Sequence, residues 1–393
     1  MIIPYGRHHI DEEDIQAVVS VLRSGSLTQG PFVSAFEKSI ADYVGAKYAV
    51  AVSSATAALH LAAIAAGVRS NTTLITSPIT FVASANAGFY AGGNVAFADI
   101  DENDVNMSAK SLKTALANNP NTKAIVPVHY AGLPCKDMPE IKSLADSVGA
   151  KVIEDAAHAL GAVYESGKLV GCCENSTMTV FSLHPVKSIA AGEGGVITTN
   201  DEKIFHQLNR LRSHGINKRS EELSSIENGF TKDIPNPWYF EMQELGFHYR
   251  ITDIQCALAK SQLQKLPKFL SHRRLLAEIY DKNLKGIDCL KPAQNTGRNL
   301  SSHHIYPVRI DFASLRISRA SFMKKLSEKE IITQVHYIPV VLHPYYRQKG
   351  FELSAYPAAE KFYDEALSLP LFFDLTFADQ ARVIDTIKGI LFK

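Results

Sequence analysis

No apolar stretch of this chain reaches the roughly 18 uninterrupted residues needed to cross a bilayer. The opening MIIPYGRHHIDEED turns acidic within fourteen residues, unlike a secretory leader or a membrane anchor. Charge of one sign is missing too: 41 Lys and Arg stand against 40 Asp and Glu, so no global field draws nucleic acid or an anionic membrane surface. The five cysteines, Cys135, Cys172, Cys173, Cys256 and Cys289, are an odd number without framework spacing, as expected in a reducing compartment, the cytosol by default. There is no H-E-x-x-H, no P-loop, and no chelating spacing at Cys172-Cys173 or His303-His304, so no metal is expected. Internal repeats, low-complexity tracts and heptad runs are absent as well. What remains is 393 residues, 46% hydrophobic and 21% charged, enough for a substantial core and for two or three domains.

From about residue 11 to 199, short β-branched runs alternate with Ala-rich helical stretches. Residues 48–52, 73–76, 95–98, 124–128, 151–154, 177–181 and 196–199 read as strands. Several are apolar throughout, which suits a mainly parallel sheet covered on both faces. Helices are expected between them at 55–66, 81–91 and 138–147, giving a layered α/β domain. The polar, Pro-containing segment 216–246 reads as a long loop or lid, its part 218–238 the lid proper. A helix follows from Thr252 with Ile254, Leu258 and Leu263 on one face and Pro267 as its stop. Beyond residue 285 the order is mixed: strands at 304–310 and 331–336, helices at 314–327, 355–366 and 378–391. This predicts a large α/β domain over 1–250 and a smaller α+β C-terminal domain over 251–393, joined by a linking helix.

Three segments carry the chemistry. In VAVSSATAALHLAA a strand ends at Val52 and Ser54 can cap a helix whose first N–H groups are free, a place where phosphate binds; an ordinary capped helix is the plainer reading. In VIEDAAHALGA, Asp155 lies at a strand's carboxyl end, where ligands of open α/β sheets gather. It could hold a protonated pyridine nitrogen, with His158 facing the same ligand. The alternative is a helix cap and a satisfied core histidine. In TVFSLHPVKSIAAGEGG, Ser182 and His184 leave a strand, Pro185 constrains the turn, and Lys187 precedes the glycines. Burial would lower its pKa, as a lysine that condenses with an aldehyde requires. A phosphate at a helix start, an acid for a ring nitrogen and a lysine for an aldehyde together fit one cofactor, pyridoxal 5'-phosphate.

In order and wording these motifs resemble the DegT/DnrJ/StrS family of sugar aminotransferases, over nearly the whole chain. The resemblance implies the fold-type I aminotransferase architecture, with an N-terminal arm on the cofactor-binding domain. It also implies backbone contacts from Thr56 and Ala57 to the cofactor phosphate and a stacking ring at Phe81 in SPITFVASAN. The stretch Glu154-Asp155-Ala156-Ala157-His158 matches the family's EDxAH motif, which puts Asp155 on the ring nitrogen and His158 near the ring hydroxyl. Ser followed five positions later by Lys puts Ser182 on the phosphate and Lys187 on the aldehyde. The family's GxNxR stretch, which reaches the phosphate from the neighbouring subunit of a homodimer, reads Gly246-Phe247-His248-Tyr249-Arg250 here. His248 replaces Asn and can still donate one hydrogen bond; Arg250 fits.

Weaker likenesses in SGSLTQGPFVSAFE, SSHHIYPVRI and TQVHYIPVVLHPYY point to Tyr5, Gln29, His184, Arg250, Tyr306, His336 and Tyr337 as substrate contacts, with packing the bland alternative. The resemblance implies transfer of an amino group from an amino acid, glutamate in the family, to a nucleotide-linked 4-keto-6-deoxy sugar. Within the family the likeness is to the branch that aminates a UDP-linked 4-keto-6-deoxy-N-acetylhexosamine in pseudaminic acid formation. The bacillosamine, perosamine and aminoarabinose branches share most of the motifs. A dehydratase of the family carries His at the lysine position, so Lys187 argues against it. A non-catalytic regulator would need a further module that the sequence lacks.

Overall fold

Seven runs of Val, Ile, Ala and Thr assemble into one sheet because neither of their faces is suited to water. In the computed structural model, residues 2–218 and 223–392 are described. The strands are β1 (Tyr48–Val52), β2 (Thr73–Thr76), β3 (Asn94–Phe97), β4 (Thr122–Val126), β5 (Lys151–Asp155), β6 (Met178–Ser182) and β7 (Gly195–Thr199), in the order β1-β7-β6-β5-β4-β2-β3. Only β7 opposes its neighbours, pairing antiparallel with β1 and β6; the remaining pairs are parallel. Since β1 and β6 both oppose β7, six strands end on the same edge. Side chains alternate between the two faces of such a sheet: Val152 and Phe181 enter one core, Ile153 and Val180 the other.

Two helices precede the sheet, α1 (Glu12–Arg23) and α2 (Pro31–Val44); α3 (Ala55–Ala65), α4 (Val82–Tyr90), α5 (Ala109–Asn118), α6 (Met138–Ser147) and α7 (Glu202–Arg212) follow in chain order. The core with Phe181 takes in residues of α2, α5 and α6, and that with Val180 residues of α3, α4 and α7. The segment expected as an unbroken loop instead carries β8 (Ile216–Asn217), the short helix α8 (Ile226–Gly229), a tight pair β9 (Phe230–Thr231) and β10 (Ile234–Pro235), and β11 (Glu241–Met242), which pairs back on β8. Residues 219–222 of the expected lid lie outside the described residues.

The helix beginning after Thr252 does not stop at Pro267. As α9 it runs over Asp253–Leu284, opened by a capping box between Thr252 and Gln255. Proline in a helix interior costs about 3 kcal/mol. Leu263, Leu266 and Leu270 on either side of it are buried against the first core, while Leu276, Tyr280 and Leu284 enter that of the second sheet. Each such side chain contributes about 1.5–3 kcal/mol on burial, so the helix continues. Asp253 is also the outside cap of α2, accepting N–H bonds from Gly30 and Phe32 at 2.8 and 2.9 Å.

The second sheet, β12 (Leu290–Pro292), β13 (Tyr306–Ile310) and β14 (Ala366–Leu369), is antiparallel throughout. It packs against α10 (Arg319–Ser327) and α13 (Phe377–Leu391), with α12 (Pro357–Glu365) beside β13, while α11 (Pro344–Arg347) puts Tyr346 against Ala85 of α4 and Phe97 of β3. Two expectations are corrected here. Residues 331–336 form no strand, only single bridges at Ile331 and Gln334, because Ile331 pairs with Ile3 of the incoming N-terminal segment rather than with a long partner. The expected strand at 304–310 starts two residues late, since His303 adopts a left-handed φ of 47° and its neighbours bond instead to residues 131 and 132.

Candidate active site

The chain turns after β1, β5 and β6 converge where the six strands end. After β1, Ser54 caps α3 and its hydroxyl accepts the Ala57 N–H at 3.1 Å. That leaves the Ala55 and Thr56 amides, which a helix start does not satisfy internally, facing outward. Gly195 of β7 lies so close that an added Cβ would meet the Ser54 carbonyl at 2.5 Å, so only glycine lets α3 begin at this edge. At the end of β5 the Asp155 carboxylate is 6% exposed. It accepts the Ser84 hydroxyl at 2.5 Å and the Ala157 N–H at 3.1 Å, which fixes its direction. After β6 the chain folds through Ser182-Leu183-His184, with the Lys187 amide donating to the His184 carbonyl at 2.8 Å.

These groups share one cavity of about 400 Å³. Its lining includes Thr56, Phe81, Asp155, His158, Ser182 and Lys187, together with Tyr5, His184, His336 and Tyr337. Lys187 is the only lysine among the described residues that line it. Loss of solvation lowers its pKa to about 8, opposed in part by the negative charge of Asp155. Beside it His158, His304 and His336 are all held neutral: burial lowers each, that of His336 to about 3, and the Lys187 charge adds to the effect. The Tyr337 hydroxyl lies 2.8 Å from His158 Nε2, and the His336 ring is anchored on the Ser368 hydroxyl at 2.9 Å. The Phe81 ring, 58% exposed, opens onto the cavity at 6.3 Å from that of Tyr337.

Not every expected residue reaches this cavity. The Ala57 amide is taken by the Ser54 cap. Tyr306 is 1% exposed, its hydroxyl given to Asp281 at 2.5 Å and its ring packed on Tyr280 in the core of the second sheet, so as a substrate contact it is corrected to a packing residue. Gln29 and Arg250 line a separate cleft of about 350 Å³ with Glu37 and Arg212. His248 bridges Ser213 beside that cleft, its ring 5.4 Å from His214. The cavity also includes residues the sequence did not single out: Thr80, Glu193 and His304 line it and Ser84 holds Asp155. Ser84 was detectable as a lone hydroxyl on an otherwise Ala- and Gly-rich helix.

A helix start with free amides beside a serine hydroxyl, a carboxylate locked in direction, an exposed aromatic face and a desolvated amine in one 400 Å³ space form a site for a phosphorylated aldehyde with a basic ring. This is the site of an aminotransferase. Residues 8–388 match the DegT/DnrJ/EryC1/StrS aminotransferase family, and the chain belongs to it. It is 35% identical, over 100% of its own length and 98% of the relative's, to a UDP-4-amino-4,6-dideoxy-N-acetyl-β-L-altrosamine transaminase of Campylobacter jejuni. Among solved structures it resembles Helicobacter pylori PseC, an aminotransferase involved in the biosynthesis of pseudoaminic acid, with TM-score 0.88, 30% identity and coverage of 100% of this chain and 99% of that one. A Streptococcus pneumoniae protein solved in its pyridoxal phosphate form matches with TM-score 0.88 and 27% identity over 99% of this chain and 98% of that one. The protein is thus a sugar aminotransferase that uses pyridoxal phosphate. Among the described residues no helix is long and apolar enough to cross a membrane.

Proposed function

We propose that the enzyme takes its amino group from an amino acid, glutamate, and delivers it to the 4-keto carbon of a UDP-linked 4-keto-6-deoxy-N-acetylhexosamine, giving UDP-4-amino-4,6-dideoxy-N-acetyl-β-L-altrosamine. The observation that carries this reading is the convergence of Thr56, Asp155, Ser182 and Lys187 on one cavity; the identity of the sugar is supported by the relatives named above. When bound, pyridoxal phosphate supplies the aldehyde that receives the amino group and a ring that withdraws electrons from the reacting carbon. Ser182 and the Ala55 and Thr56 amides hold its phosphate, Phe81 covers a ring face, and Asp155 keeps a proton on the ring nitrogen. His158 lies on the ring-hydroxyl side.

Lys187 Nζ is the general base and acid: with a pKa near 8 it exists in both protonation states at neutral pH, so it can take a proton from the donor's α-carbon and return one elsewhere. The neutral histidines around it add no competing positive charge. Tyr5, His184, His336 and Tyr337 border the space left for the sugar.

The working unit we propose is a cytoplasmic homodimer. A cofactor phosphate and a nucleotide diphosphate bring several negative charges into the cavity, yet among the described residues its lining within one chain holds no arginine. Arg250, His248 and Gln29 stand outside it, where they face a second copy and contribute to that copy's site. The exposed Ile234, Trp238, Met242 and Leu245, each more than 60% accessible, supply apolar surface for the contact.

Stopped-flow half-reactions of the aminated enzyme test the acceptor. Reoxidation by the UDP-linked N-acetylhexosamine should be much faster than by a dTDP-linked 4-keto sugar without the acetamido group, because a site that hydrogen-bonds an amide leaves buried polar groups unpaired when the amide is missing. Equal rates, or preference for the dTDP sugar, would move the enzyme to another branch of the family.

A further inference from the structure

The acidic neighbour of Asp155 is even less exposed than Asp155 itself and lies outside the cavity lining. Glu154 is 0% exposed. As the preceding residue on β5 it projects from the opposite face of the sheet, away from the cavity. Its Oε2 accepts from His129 Nε2 at 2.6 Å and from the Tyr164 hydroxyl, and its Oε1 accepts the Thr179 hydroxyl at 3.0 Å. The backbone of His129 in turn donates to the Asp155 carbonyl at 3.0 Å, so one residue grips both acids.

The protonation state of the pair follows from a further bond. His129 Nδ1 accepts the Cys135 N–H at 3.0 Å, and a nitrogen that accepts an amide hydrogen carries no proton of its own. Nε2 then bears the ring's single hydrogen and donates it to Glu154, which makes His129 neutral. Three neutral donors, His129, Tyr164 and Thr179, aim their hydrogens at its two oxygens, which an ionised carboxylate accepts in full and a protonated one, with a hydrogen of its own to place, does not. The other titratable groups around it, Tyr164, Cys135, Cys172 and Cys173, are pushed upward by burial and stay neutral. Glu154 is therefore an ionised carboxylate with no cation among its hydrogen-bond partners in the described residues, one residue from the acid that faces the cavity.

We propose that Glu154 is a positioning residue whose uncancelled charge, held by the neutral His129, adds to that of Asp155 and helps keep a proton on the ring nitrogen of the bound cofactor. Charges on consecutive residues of a buried strand are weakly screened, so the second carboxylate acts through the sheet without touching the ring. The inference rests on Asp155 facing that nitrogen, as proposed above.

The test uses holoenzyme reconstituted with pyridoxal phosphate labelled with 15N in the ring. The wild-type resonance should be that of a protonated nitrogen. In Glu154→Gln, which keeps the side chain's size and removes its charge, the pH midpoint of that resonance should fall by about one unit; in Glu154→Asp, which keeps the charge and shortens the reach, it should stay close to wild type. The reverse pattern, a normal Gln variant and a disturbed Asp variant, would show that packing and hydrogen bonds matter and charge does not, and would overturn the proposal. An unprotonated wild-type nitrogen would overturn it together with the role of Asp155, whereas a protonated nitrogen unchanged in Glu154→Gln would overturn this inference alone. If neither variant folds, Tyr164→Phe serves: one donor is lost while the carboxylate stays ionised, and the resonance should not move. A displaced resonance there would give the effect to the hydrogen-bond frame and overturn the proposal.

Discussion

At the carboxyl edge of the large sheet, Ser54, Asp155, Ser182 and Lys187 are spread over more than a hundred residues of chain and still meet in one cavity, because six strands end on the same edge. The stretch from Ile234 to Arg250 is the opposite case. It leaves Trp238 72% and Leu245 77% exposed, and turns Arg250 toward a cleft of its own. The groups of the first region all come from one chain, held by strand ends and buried hydrogen bonds. The second has apolar and cationic groups whose use depends on the second copy we propose. A change in the first region should therefore act on chemistry in every molecule, and a change in the second only through cofactor retention and assembly.

The largest effect is expected at Lys187. Lys187→Met removes the amine that carries protons, and the transamination rate should drop by about 10²–10⁴-fold or more. The same change should stabilise the protein measured without cofactor. The amine has a pKa of about 8 in the fold against 10.5 outside it, so below about pH 8 folding must bury a charge. This penalty fades between pH 8 and 10.5 and is gone above that, as stability rises with pH wherever the unfolded chain binds more protons. The full drop corresponds to about 3 kcal/mol; water reaching the half-buried side chain reduces this to about 2. Urea titrations at pH 7 and pH 10.5 should show the variant more stable at the first and level with wild type at the second. A loss of stability at pH 7 would contradict the buried, desolvated amine.

A smaller effect marks the other region. If His248 donates one neutral hydrogen bond to the partner's cofactor phosphate, His248→Ala should weaken cofactor retention by about 0.5–1.5 kcal/mol and His248→Asn should restore it. Dialysis against phosphate buffer followed by cofactor absorbance reads this directly. Sedimentation at low concentration completes the comparison: isolated monomers should be inactive. Identical Ala and Asn variants, or a fully active monomer, would remove the second copy from the site.

The first region was also the more legible one. Its strands are apolar on both faces, so 48–52, 73–76 and 196–199 could be read almost to the residue, and polar groups at such strand ends are conspicuous. Elsewhere short-range pattern met long-range packing and lost. The alternation of Ile331, Thr333 and Val335 reads as a strand, but Ile331 found a partner only in Ile3, at the far end of the chain. Pro267 reads as a stop, but the apolar residues around it are buried along a 32-residue helix joining two cores. Tyr306 matched a substrate-contacting segment, yet strand β13 turns it into the second core toward Asp281. The meeting of His304 with His158, ring centroids 4.4 Å apart, joins positions 146 residues apart and has no local signature.

Every role proposed for the cavity depends on Lys187 being the residue that holds the cofactor. Borohydride reduction of the holoenzyme, followed by proteolysis and mass mapping, should leave the pyridoxyl label on the peptide that contains Lys187, with none elsewhere. Label on any other lysine, with Lys187 unmodified, would contradict it.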